Sequence, residues 1–576
     1  MKIKHLFGLA VIAAMTASCS SNEDLGTAGP GTGTNETGVG YATFTINLPS
    51  VSGTRAVDAG GAEMNEGTPE EYAVKSATAL IFQKYGSDEG SYKFVESVTL
   101  PIDGWTNDET DGITTTSKKL VAKLTNVDTK NDYSVLILLN NTKVTLPTVG
   151  QSYNDWNSKN ILTLSATDWA GSDGFYMANA PLKGSAASPA TLVPIDKGKI
   201  YASEAKAKED ASECAATVFV ERGVAKMTVA TPGTTGTIIV KDKANPTATT
   251  KKSEVKFSNW ALDITNKKTY AVHNIDGLST DFSAIWTTPR FIGTNSRVYW
   301  GKDPNYNLDN LNKTDKEAER EAEFNFIKAT SGINKTFTES AYCLENTFNL
   351  ANMYQGQTTR VIFKATYAPK DDTGKSLAEP DGTFYTIGNM TTILKAAALE
   401  TAVNTAATSV LPGCTVDYTN LKQEGSHVIT LADIKDSTGT TLVADKVYSG
   451  KTGTEIVKEI NDKLGLIDGA GHAEAMVGIN TYAQGVTYYI ARVKHFGSLT
   501  PWNSGESYGT DNVKYLGRYG MLRNNWYDLT VGNVYGPGYP GVPPVDPNQP
   551  DDENEKYLSV SVKILSWAKR SDTVDL

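Results

Sequence analysis

The chain has 576 residues and a formal charge of -11 at pH 7, with 54 basic against 65 acidic side chains, which leaves no basic footprint for nucleic acid. Its 39% hydrophobic content suits a folded, secreted chain, and length alone predicts about two to four domains. After Cys19 only Cys214, Cys343 and Cys414 remain, an odd number with no close-spaced pair, so neither a disulfide framework nor a zinc motif is indicated.

The chain opens with Lys2 and Lys4, then an apolar run, LFGLAVIAAM, ending at Thr16-Ala17-Ser18-Cys19. This is a signal peptide, too short to span a membrane. Small residues before a cysteine, then polar SSNED, resemble a bacterial lipoprotein signal with Cys19 as the lipidated residue. Thr16 stands where such signals carry a large aliphatic residue, and an ordinary secretory signal is the alternative. The Gly/Thr-rich stretch that follows reads as a linker.

A strand comes next: in YATFTINLPSV, Ala42, Phe44, Ile46 and Leu48 share one face, and Thr43, Thr45 and Asn47 the other. Residues Ser50 to Ala56 are small and polar around Arg55, a substrate for a trypsin-like protease cutting between Arg55 and Ala56. Further strands are predicted at AVKSATALIFQK, KFVESVTL, KLVAKL, DYSVLILLNN, ATVFVERGVAKMTV, TGTIIVKD, EVKFSNWALDI, TTRVIFKATYA, GVTYYIARVKHF and WYDLTV. Helices are predicted at TDKEAEREAEFNFIKAT, MTTILKAAALETAVNTA and GTEIVKEINDKLGL, the last with Ile456, Ile460 and Leu464 at four-residue spacing.

Little points to chemistry. The five histidines are scattered, without a hydrolase, protease or phosphate-loop motif, so no catalytic residue, cofactor or metal is expected. DPNYNLDNLNKTDKE, from Asp303, alternates carboxylates and amides like a calcium loop but lacks its Gly and Glu, and reads as a solvated loop. Cys214 and Cys343 are expected to pack as small hydrophobes. Arg222 and Lys226 are expected on a solvent face, and Arg523 to Tyr527 in a structural role rather than in glycan stacking.

The tail is the most informative segment. After YGPGYPGVPPVDPNQPDDENEK comes a strand, KYLSVSVKILSW, with Leu558, Val560, Val562 and Ile564 on one face and Trp567 just beyond. The proline-rich tether reads as a free extension spanning on the order of 60 Å. Strands of matching pattern thus stand at both ends, and one groove could accept either. A sandwich missing a strand exposes an apolar trough and unpaired backbone, which strand addition fills.

The stretches VFVERGVAKMTV, FSNWALDITNKKTY, YCLENT and YGMLRNNWYDLTV, with the Pro/Asp-rich tether and the ending Val574-Asp575-Leu576, resemble the fimbrillins of Bacteroidetes, type V pilins. Among them the chain is most similar to the major subunit of the short fimbria. The resemblance implies a mainly β fold with two transthyretin-like β-sandwich domains in tandem, a few short helices and a detached C-terminal donor strand. The expected division is 1–19 signal, 20–55 linker and removable strand, 56–272 and 273–534 sandwiches, and 535–576 tether and donor.

The function implied is a structural stalk subunit of a surface fimbria, no enzyme, whose precursor is lipid-anchored in the outer membrane. An Arg-specific protease cuts it, and it polymerises by donor-strand exchange with copies of itself and with anchor and tip subunits, supporting adhesion. An anchor or tip subunit, or a monomeric glycan-binding lipoprotein, are the other readings.

Overall fold

A computed structural model describes residues 33–35, 38–49, 64–65, 67–103, 105, 117–182, 189–209, 214–245, 247, 252–281, 298, 300–388, 390–466, 478–495, 515–551 and 558–567. Cys19, Arg55 and Ala56 lie outside them. The described chain is mainly β with few short helices, as alternation predicts, and no described helix is long and apolar enough to cross a membrane.

The first sheet comprises β1 (Gly40–Asn47), β2 (Ala77–Gln83), β3 (Lys93–Thr99), β4 (Ser117–Leu124), β5 (Tyr133–Leu139), β6 (Met177–Asn179), β7 (Ile200–Tyr201) and β8 (Ala216–Arg222). Its main path runs β7-β1-β8-β6-β5-β2-β3, with β4 also on β1 and a ninth short strand, Val193–Ile195, also on β5. The sheet curls, since Glu96, midway along β3, accepts from the Thr125 and Asn126 amides just past β4. Phe44, Ile46, Leu80, Phe82, Leu136 and Leu138 are among the side chains of the enclosed core. Helix α1 (Pro69–Tyr72) adds Tyr72 to it, and α2 (Glu204–Glu209) lies against β1.

Two further sheets face each other. One holds β9 (Val224–Val229), β12 (Ala341–Leu344), β15 (Asn525–Val534) and β16 (Leu558–Trp567), in the order Met64–Asn65, β16, β15, β9, β12. The other runs β10 (Thr237–Ile239), β11 (Glu254–Asp263), β13 (Arg360–Ala368) and β14 (Val486–Arg492). Between them Met227, Tyr527, Leu529 and Val531 meet Val255, Trp260, Phe363 and Tyr489, a two-layer sandwich core. The first core takes in Ala271 and Val272 but also Leu344 and Trp526, and the second draws on residues from Ala225 onward, so the two cores interleave along the chain.

Helix α3 spans only Glu317–Glu323 within the longer predicted helix, because Phe324 and Asn325 pair with Asn266 and Thr265 as strand. Helix α4 (Ala396–Val410) starts later than composition predicts. Helix α5 (Gly453–Leu464) follows the prediction: Thr452 and Glu455 form its capping box, Gly465 ends it at φ +69°, and Ile456, Ile460 and Leu464 are buried. The last two helices enclose a third core with Ile387 and Ile479.

The chain passes from the first sheet to the second at Gly223, between β8 and β9. A Cβ there would lie 2.5 Å from Trp169 Cε3, and Trp169 stacks on Tyr176 with centroids 4.3 Å apart. Gly223→Ala is therefore expected to overpack the crossing and lower stability by roughly 1–3 kcal/mol, read as a lower urea midpoint with unchanged slope.

Candidate functional site

Strand β1 is an interior strand. Along one edge it pairs antiparallel with β4 through all eight residues, from Gly40 opposite Leu124 to Asn47 opposite Ser117. Along the other it pairs with β7 at Tyr41 and Ala42, and in parallel with β8 from Phe44 to Asn47. Ala42, Phe44, Ile46 and Leu48, the face predicted to point inward, are all buried. The outer face is covered at Thr43, whose hydroxyl donates to the Ala207 carbonyl of α2 at 2.8 Å, and along the edge the Ala215 amide donates to the Thr43 carbonyl at 2.8 Å. The Asn47 side chain donates to the Val218 carbonyl at 3.3 Å. Taking β1 away would leave a slot with unpaired backbone on both walls and an apolar floor.

The tail differs from expectation in two ways. Strand β16 is not detached: it pairs antiparallel with β15 and touches Met64–Asn65 on its other edge, where Asn65 lies opposite Trp567. Its register sets Leu558, Val560, Val562 and Ile564 opposite Val534, Val531, Leu529 and Tyr527, all four of them buried. Nor are residues 535–551 a free tether. The Arg360 guanidinium donates to the carbonyls of Pro543 (2.7 Å) and Pro544 (2.9 Å) and through Nε to Asp263 (2.8 Å). Tyr482 and Tyr489 hydroxyls donate to the carbonyls of Gly538 and Gly536, and Tyr539 bridges Tyr488. The Gln355 amide donates to the Gln549 carbonyl at 2.9 Å.

Proline removes N–H donors but keeps its carbonyl, so a proline-rich segment can lie on a surface that supplies the donors. Only residues 552–557 then separate the docked strap from β16.

Charges near the crossing are buried rather than solvated. Lys226 (2% exposed) meets Glu71 (0%) at 2.7 Å and stands 3.4 Å over the Trp526 ring; burial lowers its pKa while the Glu71 carboxylate opposes that. The Tyr342 hydroxyl donates to the same carboxylate at 2.6 Å. Arg222, fully buried, donates to the Glu71 carbonyl at 2.7 Å, and its amide donates to Asn524 at 3.0 Å. Both residues therefore correct the solvent-face expectation. Alternation could not reveal this, because the covering elements lie far away in sequence.

Arg523 to Tyr527 are buried, with Arg523 on Glu345 at 3.2 Å and Asn524 at φ +59°, a structural arrangement. Asp303 is buried too, not solvated; burial pushes its pKa up to about 7 despite amide hydrogen bonds from Asn305 and Thr347. Among the described residues no three His, Cys, Asp or Glu side chains are grouped to hold a metal ion. Cys343 is buried as expected, whereas Cys214 is half-buried beside Thr217.

Residues 480–573 match the family model described as major fimbrial subunit protein type IV, fimbrillin, C-terminal. That span holds β14, β15, the docked strap and β16, so the fimbrillin resemblance reaches the tail itself. Among solved structures, the tip fimbrial protein Mfa3 from Porphyromonas gingivalis with C-terminal truncation aligns over 92% of this chain and 100% of that one, at 9% identity and a TM-score of 0.29. No curated protein matches.

The strap depends on Arg360. Arg360→Met should leave Asp263 buried without its cation and two prolyl carbonyls without donors, lowering stability by about 3–5 kcal/mol. Limited proteolysis should then cut within residues 535–551, which should resist in the unaltered protein.

Proposed function

We propose that this chain is a structural stalk subunit of a bacterial surface fimbria, made as a lipoprotein precursor and polymerised by exchange of its C-terminal strand. The observation that carries the reading is the placement of β1. It is buried on its apolar face, paired on both edges, and followed within eight residues by the Arg55–Ala56 bond. The fimbrillin match over residues 480–573 supports the coarser part, a fimbrial structural protein at the cell surface, and argues against an enzyme.

In this reading Cys19 carries the lipid that holds the precursor at the outer membrane, and a trypsin-like protease cuts after Arg55. The lipid and β1 leave together, and the emptied slot between β4 and β8 accepts Leu558, Val560, Val562 and Ile564 from another copy. Anchor and tip subunits complete the fibre, which supports adhesion. The home position of β16 makes this a swap of partners: the tail gives up β15 and gains two walls in place of one and a short edge.

A second reading follows from that same home position. A tail that stays on β15 completes its own sandwich, as in a monomeric glycan-binding lipoprotein.

Assembly of purified precursor after limited trypsin treatment separates the two. Arg55→Ala should remain at precursor mass and form no polymer; normal fibres from it would exclude processing at this bond. Deleting residues from Lys556 onward should give a processed, folded subunit that cannot extend a fibre. Val562→Asp should act in the same direction, because an unpaired charge in an apolar slot is costly. Unchanged assembly of both variants would point to another donor.

A further inference from the structure

The two ends of the chain match residue for residue. Tyr41-Ala42-Thr43-Phe44-Thr45-Ile46-Asn47-Leu48 stands against Tyr557-Leu558-Ser559-Val560-Ser561-Val562-Lys563-Ile564: tyrosine on tyrosine, four apolar on four apolar, two hydroxyls on two hydroxyls, polar on polar. A slip of one residue inverts the faces. A slip of two in one direction sets Lys556 at the fully buried Ala42 position; in the other it sets Lys563 at Thr45, Leu565 at Asn47 and Ser566 at buried Leu48.

The site has a chemical reason to hold that register. Ala207 lies in the last turn of α2, where helix carbonyls lack an intrahelical donor. The Thr43 hydroxyl, itself buried, supplies one at 2.8 Å. Any strand replacing β1 must bring a hydroxyl to that place or leave the carbonyl unpaired. Gly40 marks where the match stops: a Cβ there would lie 2.6 Å from Ile200 Cγ2, so Lys556 could follow the path of β1 only by displacing the Ile200 side chain.

We propose that the tail of a second copy enters the β1 slot in one register, from Tyr557 at the Tyr41 position to Ile564 at Leu48, with Ser559 donating its hydroxyl to Ala207. This rests on the strand-exchange reading above. With the strap docked through Asp551, six residue steps lead to Tyr557, so the bridge between subunits is at most about 20 Å.

Cross-strand disulfides in the full chain test the register. Thr45 lies directly opposite Lys119 of β4, and opposed residues in antiparallel strands have Cα atoms about 4.5–5.5 Å apart, within disulfide range. In a Cys214→Ser background, Lys119→Cys with Ser561→Cys should give a covalent ladder on a non-reducing gel after processing and oxidation. Lys119→Cys with Lys563→Cys should not. A ladder from the second pair alone would overturn the register. Fibres without a ladder from either pair would place the tail elsewhere, overturning the register but leaving strand exchange intact. No fibres from the unaltered, processed chain would reject strand exchange and this inference with it.

The hydroxyl is tested separately. Ser559→Ala fibres should fall apart about tenfold faster than unaltered ones, the effect of one unmade hydrogen bond to a buried carbonyl, and Ser559→Thr should restore the slow rate. Equal rates for Ser559→Ala and Ser559→Thr would remove Ser559 from the proposal.

Discussion

An interior β-strand must be paired on both edges, and β1 meets this condition with β4 on one side and β7 and β8 on the other. An unpaired buried backbone group costs about 1–3 kcal/mol, and burying Phe44, Ile46 or Leu48 contributes about 1.5–3 kcal/mol each. The β1 slot is therefore a place that some strand must occupy. The covering helix α2 and the position of Arg55 beyond the end of β1 take their meaning from that requirement.

The tail obeys the same constraint from the other side. Strand β16 is paired with β15, in register with four buried residues of that strand. A strand with a home partner does not act as a free hook. In the strand exchange we propose, transfer depends on the difference between its pairing at home and its pairing in the slot, and loss of β1 tips that difference. Arg360 and the tyrosines of β14 and the adjoining residues hold most of the proline-rich segment down.

Buried charge pairs tie these parts into one body. Glu71 with Lys226 and Tyr342, Arg523 with Glu345, and Asp263 with Arg360 join segments far apart in sequence. Such pairs contribute little net stability against an apolar replacement, but breaking one leaves an uncompensated charge. They act to fix which elements meet. Glu71 lies beyond Arg55, so its pairing with Lys226 survives removal of β1 in the processed form we propose.

What the sequence determined by itself is local. Alternation over two residues assigned the faces of β1 and placed Leu558, Val560, Val562 and Ile564 on one side of β16. Four-residue spacing placed α5, whose buried Ile456, Ile460 and Leu464 are those predicted. Partners were decided only by the tertiary structure. Prolines between Tyr535 and Asp551 read as a free tether because nothing nearby in sequence supplies a donor, yet Arg360, 183 residues before Pro543, does. Lys226 and Arg222 read as solvent-facing because a polar residue on a strand usually is, yet Glu71, 151 residues before Arg222, covers them. Periodicity records which side a residue faces, whereas burial of a polar group depends on what arrives from a distant part of the chain to pair with it.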